Sequence, residues 1–362
     1  MVRIIHLATH YNRLPDQLYQ INSIFGINAR FTRKINQTMK PFLLLGLGLF
    51  LQVLLASGQS HPAGNYTARM QRFLSSLDAD ELALVHFGFD DSLRTKWERL
   101  PGTRQGLKLT RLSEQQKILF HELMRSCLST QGYLTVTSVM FNEDIEKKFE
   151  PTLGRNEYWL GVFGQPSGGE YWGWKLEGHH LSLNFTFSGE SMIANSPFLV
   201  ATNPSNSVTD SARAGLIILY KEEELARDLV RSFSEEQLRQ GYSSRKKPDS
   251  VYSEQDRNRI HVPDEGIYFS QLNKSQRDLA KVLAQEYFNQ FNPGEIISAN
   301  SFCNSKLRFF YADSREKGKA HYYRMENGIQ IIEYENYNNH IHCFWRTSND
   351  FGQEIIRTVT RK

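Results

Sequence analysis

Apolar positions recur at helical spacing in the first third of the chain, then give way to strand-like runs. Met70, Phe73, Leu74 and Leu77 predict a helix over 68–87. Ser113 and Gln116 stand at capping-box spacing, and the helix they open, through Ile118, Leu119, Leu123 and Met124, is expected to run towards Gly132. Residues 143–149 read as a short charged helix or turn. Strands are predicted at 158–163, 171–176 and 179–187, with the Gly-rich turn 165–169 between the first two. Helices are predicted again at 222–233 and at 274–291, the latter with Leu279, Val282, Leu283 and Tyr287 on one face. Strands return at 306–311, 320–325, 329–334 and 340–346, and Asn327-Gly328 is a two-residue hairpin signal.

Strands adjoin strands and helices adjoin helices, without βαβ alternation. The expected class is α+β: an antiparallel sheet covered by helices. The polar stretch 241–266 reads as a long surface connection that could divide two domains. Strands on both sides of it are expected to share one sheet, so a single large domain over 59–362 is the expectation.

Composition narrows the classes further. The 362 residues are 40% hydrophobic, 12% aromatic and 23% charged, which fits a packed globular chain rather than a disordered one. Residues 1–58 hold six Lys/Arg against Asp16 alone, so the remaining 37 basic and 38 acidic residues nearly balance. Beyond Arg245-Lys246-Lys247 no basic stripe exists, and nucleic acid is not an expected partner. Mean hydropathy is −0.49 and only one long apolar run occurs, which excludes a polytopic membrane protein.

That run lies in the leader. Met39-Lys40-Pro41, the apolar stretch 42–51 and the small residues Ala56-Ser57-Gly58 have the layout of a secretory signal peptide over 39–58. Gln52 interrupts the run before the length a spanning helix needs, so cleavage is expected rather than a retained membrane span. Residues 1–38 precede this second methionine and read as a start-site overcall. The expected location is therefore periplasmic or extracellular. Cys127, Cys303 and Cys343 form no CxxC pair, and buried free thiols are expected.

No GxSxG elbow, phosphate loop, HExxH or GxGxxG-before-helix occurs. The histidines carry the remaining signal: four of the eleven fall in Glu177-Gly178-His179-His180 and His340-Ile341-His342. Residues two apart on a strand share a face, so His340 and His342 can reach one ion or one anionic group. Alternation in 179–187 puts His180 on the polar face and His179 on the apolar one, where a structural, hydrogen-bonded role is the plainer reading. Neutral imidazoles with a carboxylate suit Zn, Cu or Fe, and His180, His340, His342 and His179 are the candidate metal ligands. Glu333 and Asp350 are candidate catalytic carboxylates. Arg324, Arg346, Glu177 and Trp174 are candidate ligand-binding residues, with core packing as the plainer reading of Trp172 and Trp174 and an ion pair with Glu333 or Glu335 as that of Arg324.

The segments WGWKLEGHHLSLNFTF (172–187), YYRMENGIQIIEYEN (322–336) and HIHCFWRTSNDFG (340–352) resemble a bacterial family called domain of unknown function 3500. The resemblance runs from about Leu82 to the end and includes Gly164–Pro166 and Glu223–Ala226. It implies commonly exported proteins, with Glu177, His179, His180, Arg324, Glu333, His340, His342, Arg346 and Asp350 in signature positions. Asn203 departs from the acidic residue expected there.

Two functions follow. One is an exported metal-dependent hydrolase or oxidoreductase, with the histidines holding a Lewis-acid metal and a nearby Glu as base. The other is an exported binding protein in which the histidines, Arg324 and Arg346 hold an anionic small ligand without turnover. A small molecule is the expected partner in both, and no sequence feature indicates an oligomer.

Overall fold

The computed structural model describes residues 65–360, apart from 168, 208–209, 245–247, 249–250, 253–261 and 295–297. The segments 1–38 and 39–58, and the Arg245-Lys246-Lys247 cluster, lie outside the described residues. Among those described, no helix is long and apolar enough to cross a membrane.

The first helices are α1 (Tyr66–Leu74), α2 (Ala79–Val85), α3 (Glu114–Cys127) and α4 (Thr130–Glu146). The single helix expected over 68–87 is two, because Asp78 closes a capping box with Glu81 and starts α2 afresh. Likewise α3 stops at Cys127, and Ser129 caps a new helix by accepting the Gly132 N–H. Gly132 is required there, since a Cβ would fall 1.9 Å from the Gln290 carbonyl oxygen. The later helices are α5 (Tyr220–Arg231), α6 (Glu235–Gly241), α7 (Lys274–Phe288), α8 (Ala299–Phe302) and α9 (Gln353–Thr360).

The strands belong to one sheet, in accordance with the α+β class. In chain order they are β1 (His86–Phe87), β2 (Leu107–Lys108), β3 (Tyr158–Phe163), β4 (Tyr171–Gly178), β5 (Leu181–Ser188), β6 (Ser191–Ala194) and β7 (Phe198–Thr202). The second group is β8 (Tyr242–Ser243), β9 (Ile267–Tyr268), β10 (Arg308–Asp313), β11 (His321–Glu326), β12 (Gln330–Asn336) and β13 (Ile341–Thr347). The spatial order is β1-β3-β4-β5-β7-β13-β12-β11-β10-β8, with β2, β6 and β9 pairing off this path. Among the described strands, only the short outer ones, β1 and β8, pair in parallel with a neighbour. β7, which the hydrophobic pattern did not single out, joins the two strand groups by pairing with β5 and β13.

Alternation gives the sheet two unlike faces. One is apolar: Trp172, Trp174, Leu183, Phe185, Phe187, Tyr323 and Trp345 pack under the helices, with Trp172 stacked on Phe187 at 4.2 Å and Phe288 of α7 edge-on to Trp345 at 5.1 Å. The other face is buried yet ionic. Cross-strand registry sets Glu177, Ser182, Leu199, Phe344, Glu333, Arg324 and Phe310 in one transverse row. The neighbouring row is Ala201, His342, Glu335, Tyr322 and Ala312.

Two straps, one carrying Leu93–Lys96 and one whose described residues include Tyr252, Pro263 and Glu265, are tied to the charges of this face. Lys175 donates to the carbonyls of Leu93 and Lys96 at 2.9 and 3.0 Å. Arg324 donates to those of Pro263 and Glu265 at 3.1 and 3.0 Å, and the Tyr252 N–H donates to Glu333 at 2.9 Å. The polar stretch 241–266 is therefore more than a surface connection, since Val251 within it is fully buried.

Candidate metal centre

The centre forms at the end of the sheet where three strands bring histidines together. β4 ends at Gly178 and β5 begins at Leu181, so His179 and His180 occupy the turn between them. His180 has a left-handed backbone, φ 65°, and strand alternation does not run through such a turn. Hence the expected division, with His179 on the apolar face as the buried structural residue and His180 on the polar face as the site residue, does not carry over as a division of faces in this turn. His180 is fully buried, His179 is half-buried, and their rings stack at 3.6 Å.

Both rings turn to one carboxylate. Glu143, near the end of α4, takes His180 Nδ1 at 2.5 Å and His179 Nδ1 at 3.1 Å. On the far side of β7, His342 Nδ1 bonds Glu335 at 2.8 Å. Between His180 and His342 lies Ala201, whose N–H donates to the His180 carbonyl and whose registry partner is His342. A methyl side chain at this position leaves the space into which both imidazoles lean. His340, immediately before β13, completes the group: its Nε2 lies 3.0 Å from His180 Nε2, and its ring is 4.6 Å from that of His342.

The protonation pattern follows from these bonds. Burial pulls the Glu143 carboxyl up, but hydrogen bonds and charge from His179 and His180 outweigh it and hold the pKa below the usual value. An ionised carboxylate only accepts, so Nδ1 of His180 carries the proton and its Nε2 presents a lone pair. The Glu335 bond orients His342 in the same way. Burial lowers the pKa of His180, His342 and His340 to about 4 in each case, the partial compensation from Glu143 and Glu335 notwithstanding. All three are neutral near pH 7, the form that ligates metals. One potential ligand atom from each of His180, His340 and His342 lies within 4.8 Å of the others. Two ligands on a tetrahedral zinc are about 3.3 Å apart for Zn–N bonds of about 2.0 Å, close to the 3.0 Å separation of His180 and His340. A carboxylate behind each inner imidazole is the arrangement that fixes ring orientation and basicity in metal sites.

The other candidates divide by place. Glu177, Arg324, Glu333, Arg346 and Asp350 lie on or beside the same ionic face, but their bonds lead elsewhere. Glu177 pairs with Lys175 at 2.7 Å. Glu333 accepts from Tyr322 Oη at 2.6 Å. Arg346 pairs with Asp350 at 2.7 Å and lies over the Trp97 ring. Arg324 reaches the strap carbonyls and lies 4.6 Å over Phe310. Trp174 is on the opposite face, stacked on Phe185 at 4.7 Å in the apolar core. Exposure also separates the two strand histidines: His342 is 5% exposed, whereas His340 is half-buried.

Sequence reasoning missed Glu143. It is one of four acidic residues in 143–150, and α4 around it is rich in Thr and Val, which favour helix weakly. The nearest available signal was the carboxylate's position at the end of a run long enough to be helical. Cys127, Cys303 and Cys343 are buried thiols in no disulfide among the described residues.

A family model described as Protein of unknown function (DUF3500) matches residues 59–353, and the chain belongs to that family. No curated protein and no solved structure matches it.

Proposed function

We propose that this is an exported, metal-dependent enzyme, hydrolytic or oxidative, with His180, His340 and His342 as ligands to one transition-metal ion. The carrying observation is the convergence of His180 Nε2 and His340 Nε2 at 3.0 Å, with the Nδ1 atoms of His180 and His342 already engaged by Glu143 and Glu335. Three neutral imidazoles leave coordination positions for water or substrate, the pattern of catalytic rather than structural zinc sites. Such an ion would polarise a substrate oxygen or activate water. In this reading Glu143 and Glu335 orient the ligands, while Glu333 and Asp350 hold straps and turns. Export is proposed from the leader pattern at 39–58 alone.

The test is metal analysis of protein purified without a histidine tag and dialysed against zinc, copper(II) or iron(II) in turn. About one tightly held ion per chain is expected, lost in His340→Ala and His342→Ala. Glu143→Gln should weaken it by about 10- to 100-fold, as loss of an outer carboxylate does elsewhere. Protein that binds none of the three metals overturns the reading. If it instead binds an anionic small molecule without turning it over, the binding-protein alternative takes its place. N-terminal sequencing of exported protein should begin near Gln59; recovery of peptides from 1–38 would sink the leader assignment.

A further inference from the structure

A groove of about 570 Å³ lies between the first strap and β4, lined among others by Trp97, Glu98, Arg104, Lys175 and Glu177. It is on the same sheet face as His342: the Trp97 ring is 6.3 Å from that of Phe344, which is itself 6.3 Å from His342. We infer that this groove is a binding site for a neutral, polyhydroxylated ligand of the saccharide class.

The hydrogen-bonding capacity of the groove is unfilled at several positions. Lys175 is spent, since its ammonium donates to Leu93, Lys96 and Glu177. Three other lining residues each retain a buried polar atom with no partner: Glu177 Oε1, Trp97 Nε1–H and Arg104 Nε–H. Leaving such groups unsatisfied is costly, and native proteins rarely concentrate them without a ligand or water to meet them. One acceptor and two donors on one groove match hydroxyl groups, which both give and take a hydrogen bond.

The charges of the groove are of both signs. A cationic ligand would approach Lys96, Arg104 and Lys175, and an anionic one would approach Glu98 and Glu177; the Glu177 carboxylate, 3% exposed, pairs with Lys175 and also accepts the Glu98 backbone N–H. Neither sign is favoured, whereas a neutral polyol meets no buried like charge. The site stands on these residues alone. That it delivers substrate to the histidine centre rests additionally on the function proposed above.

Saturation-transfer NMR and titration of the purified protein with glucose, xylose and N-acetylglucosamine, against glucuronate and glucosamine, test the assignment. At least one neutral sugar should bind, with affinity reduced about tenfold in Glu177→Gln and in Trp97→Phe, the loss expected for one hydrogen bond to a charged or buried partner. Thermal melts establish that each variant folds, and Arg104→Lys offers a milder change if either does not. Sugar binding should persist in His340→Ala, so failure of the metal reading would leave this one intact. Absence of binding by all three neutral sugars, tighter binding of either charged analogue, or affinity unchanged in every folded variant overturns it.

Discussion

The two faces of the sheet are equally buried and chemically opposite. On the helix side, side chains such as Trp172, Phe187, Trp345 and Phe288 meet ring to ring. Their contribution depends on area and fit and has little directionality. On the strap side, neutral His342 hydrogen-bonds Glu335, and Lys175–Glu177 and Arg346–Asp350 are buried ion pairs. Desolvating such pairs offsets much of their attraction, so they are weak sources of stability. What they supply is position: a carbonyl of a strap, or the ring of a histidine, is held at one place and angle. The apolar face keeps the sheet folded, and the ionic face decides what is presented at its end.

The largest expected effect breaks the apolar face. Trp172→Ala should cost about 3–5 kcal/mol in urea unfolding, because a large ring leaves a cavity against Phe187, which itself packs on Tyr66. A loss under about 1 kcal/mol would mean that the helices contribute little there.

Next comes the ionic face, where the comparison predicts a different pattern of repair. Lys175→Met should cost about 3 kcal/mol, since it leaves Glu177 buried beside a lost partner and frees two strap carbonyls. Adding Glu177→Leu should recover much of that loss, as an apolar pair of similar volume replaces an ionic one. If the double variant is less stable than Lys175→Met alone, the pair is a net stabiliser and the contrast between faces weakens.

The same contrast explains which features were legible in the sequence. Period-two alternation from 158 to 187 and from 306 to 346 revealed both halves of the sheet, and Asn327-Gly328 marks the β11–β12 turn. The signature charges also fall on one face, as alternation requires. Illegible were the links that depend on tertiary approach. β7 is only five residues long, set between the turn signals Ser196-Pro197 and Asn203-Pro204, and its place in the sheet depends on tertiary pairing, yet it seats Ala201 between His180 and His342. α4 hid Glu143 behind residues of modest helix propensity. His179 and His180 were assigned by a strand rule that fails in the turn they occupy.

A smaller effect should separate the faces by pH. In metal-free protein, His180 and His342 titrate at about 4 against 6.5 when unexposed to the fold. The unfolded chain therefore takes up protons first, so their stabilising contribution is complete above pH 6.5 and is lost as pH falls from 6.5 towards 4. Glu222, on the helix side, moves oppositely: burial, reinforced by Glu286, raises it from 4.5 to about 7. Its contribution is complete below pH 4.5 and is lost as pH rises through 7. Melting temperature should thus pass through a maximum near neutrality. Glu222→Gln should steepen the rise between pH 4.5 and 6.5, where the two windows overlap, and remove the fall towards pH 7; an unchanged rise would show that Glu222 does not oppose the histidines there.

The smallest effect on folding should accompany the complete loss of metal. His340 is half-buried, lies just outside β13, and its ring nitrogen bonds only to His180 within hydrogen-bonding reach. Its replacement by alanine should cost under about 1 kcal/mol, as surface-side changes usually do. His342→Ala and His180→Ala should cost about 2 kcal/mol each, because they leave the buried carboxylates of Glu335 and Glu143 without the imidazole that satisfies them. All three should nevertheless lose the ion to the same degree, since three ligands hold it jointly. Equal metal loss with unequal stability loss is the signature of a site assembled on a scaffold. Were His340→Ala to destabilise the protein as much as His342→Ala, the cluster would be packing rather than ligation, and the ionic face would differ from the apolar one in composition but not in role.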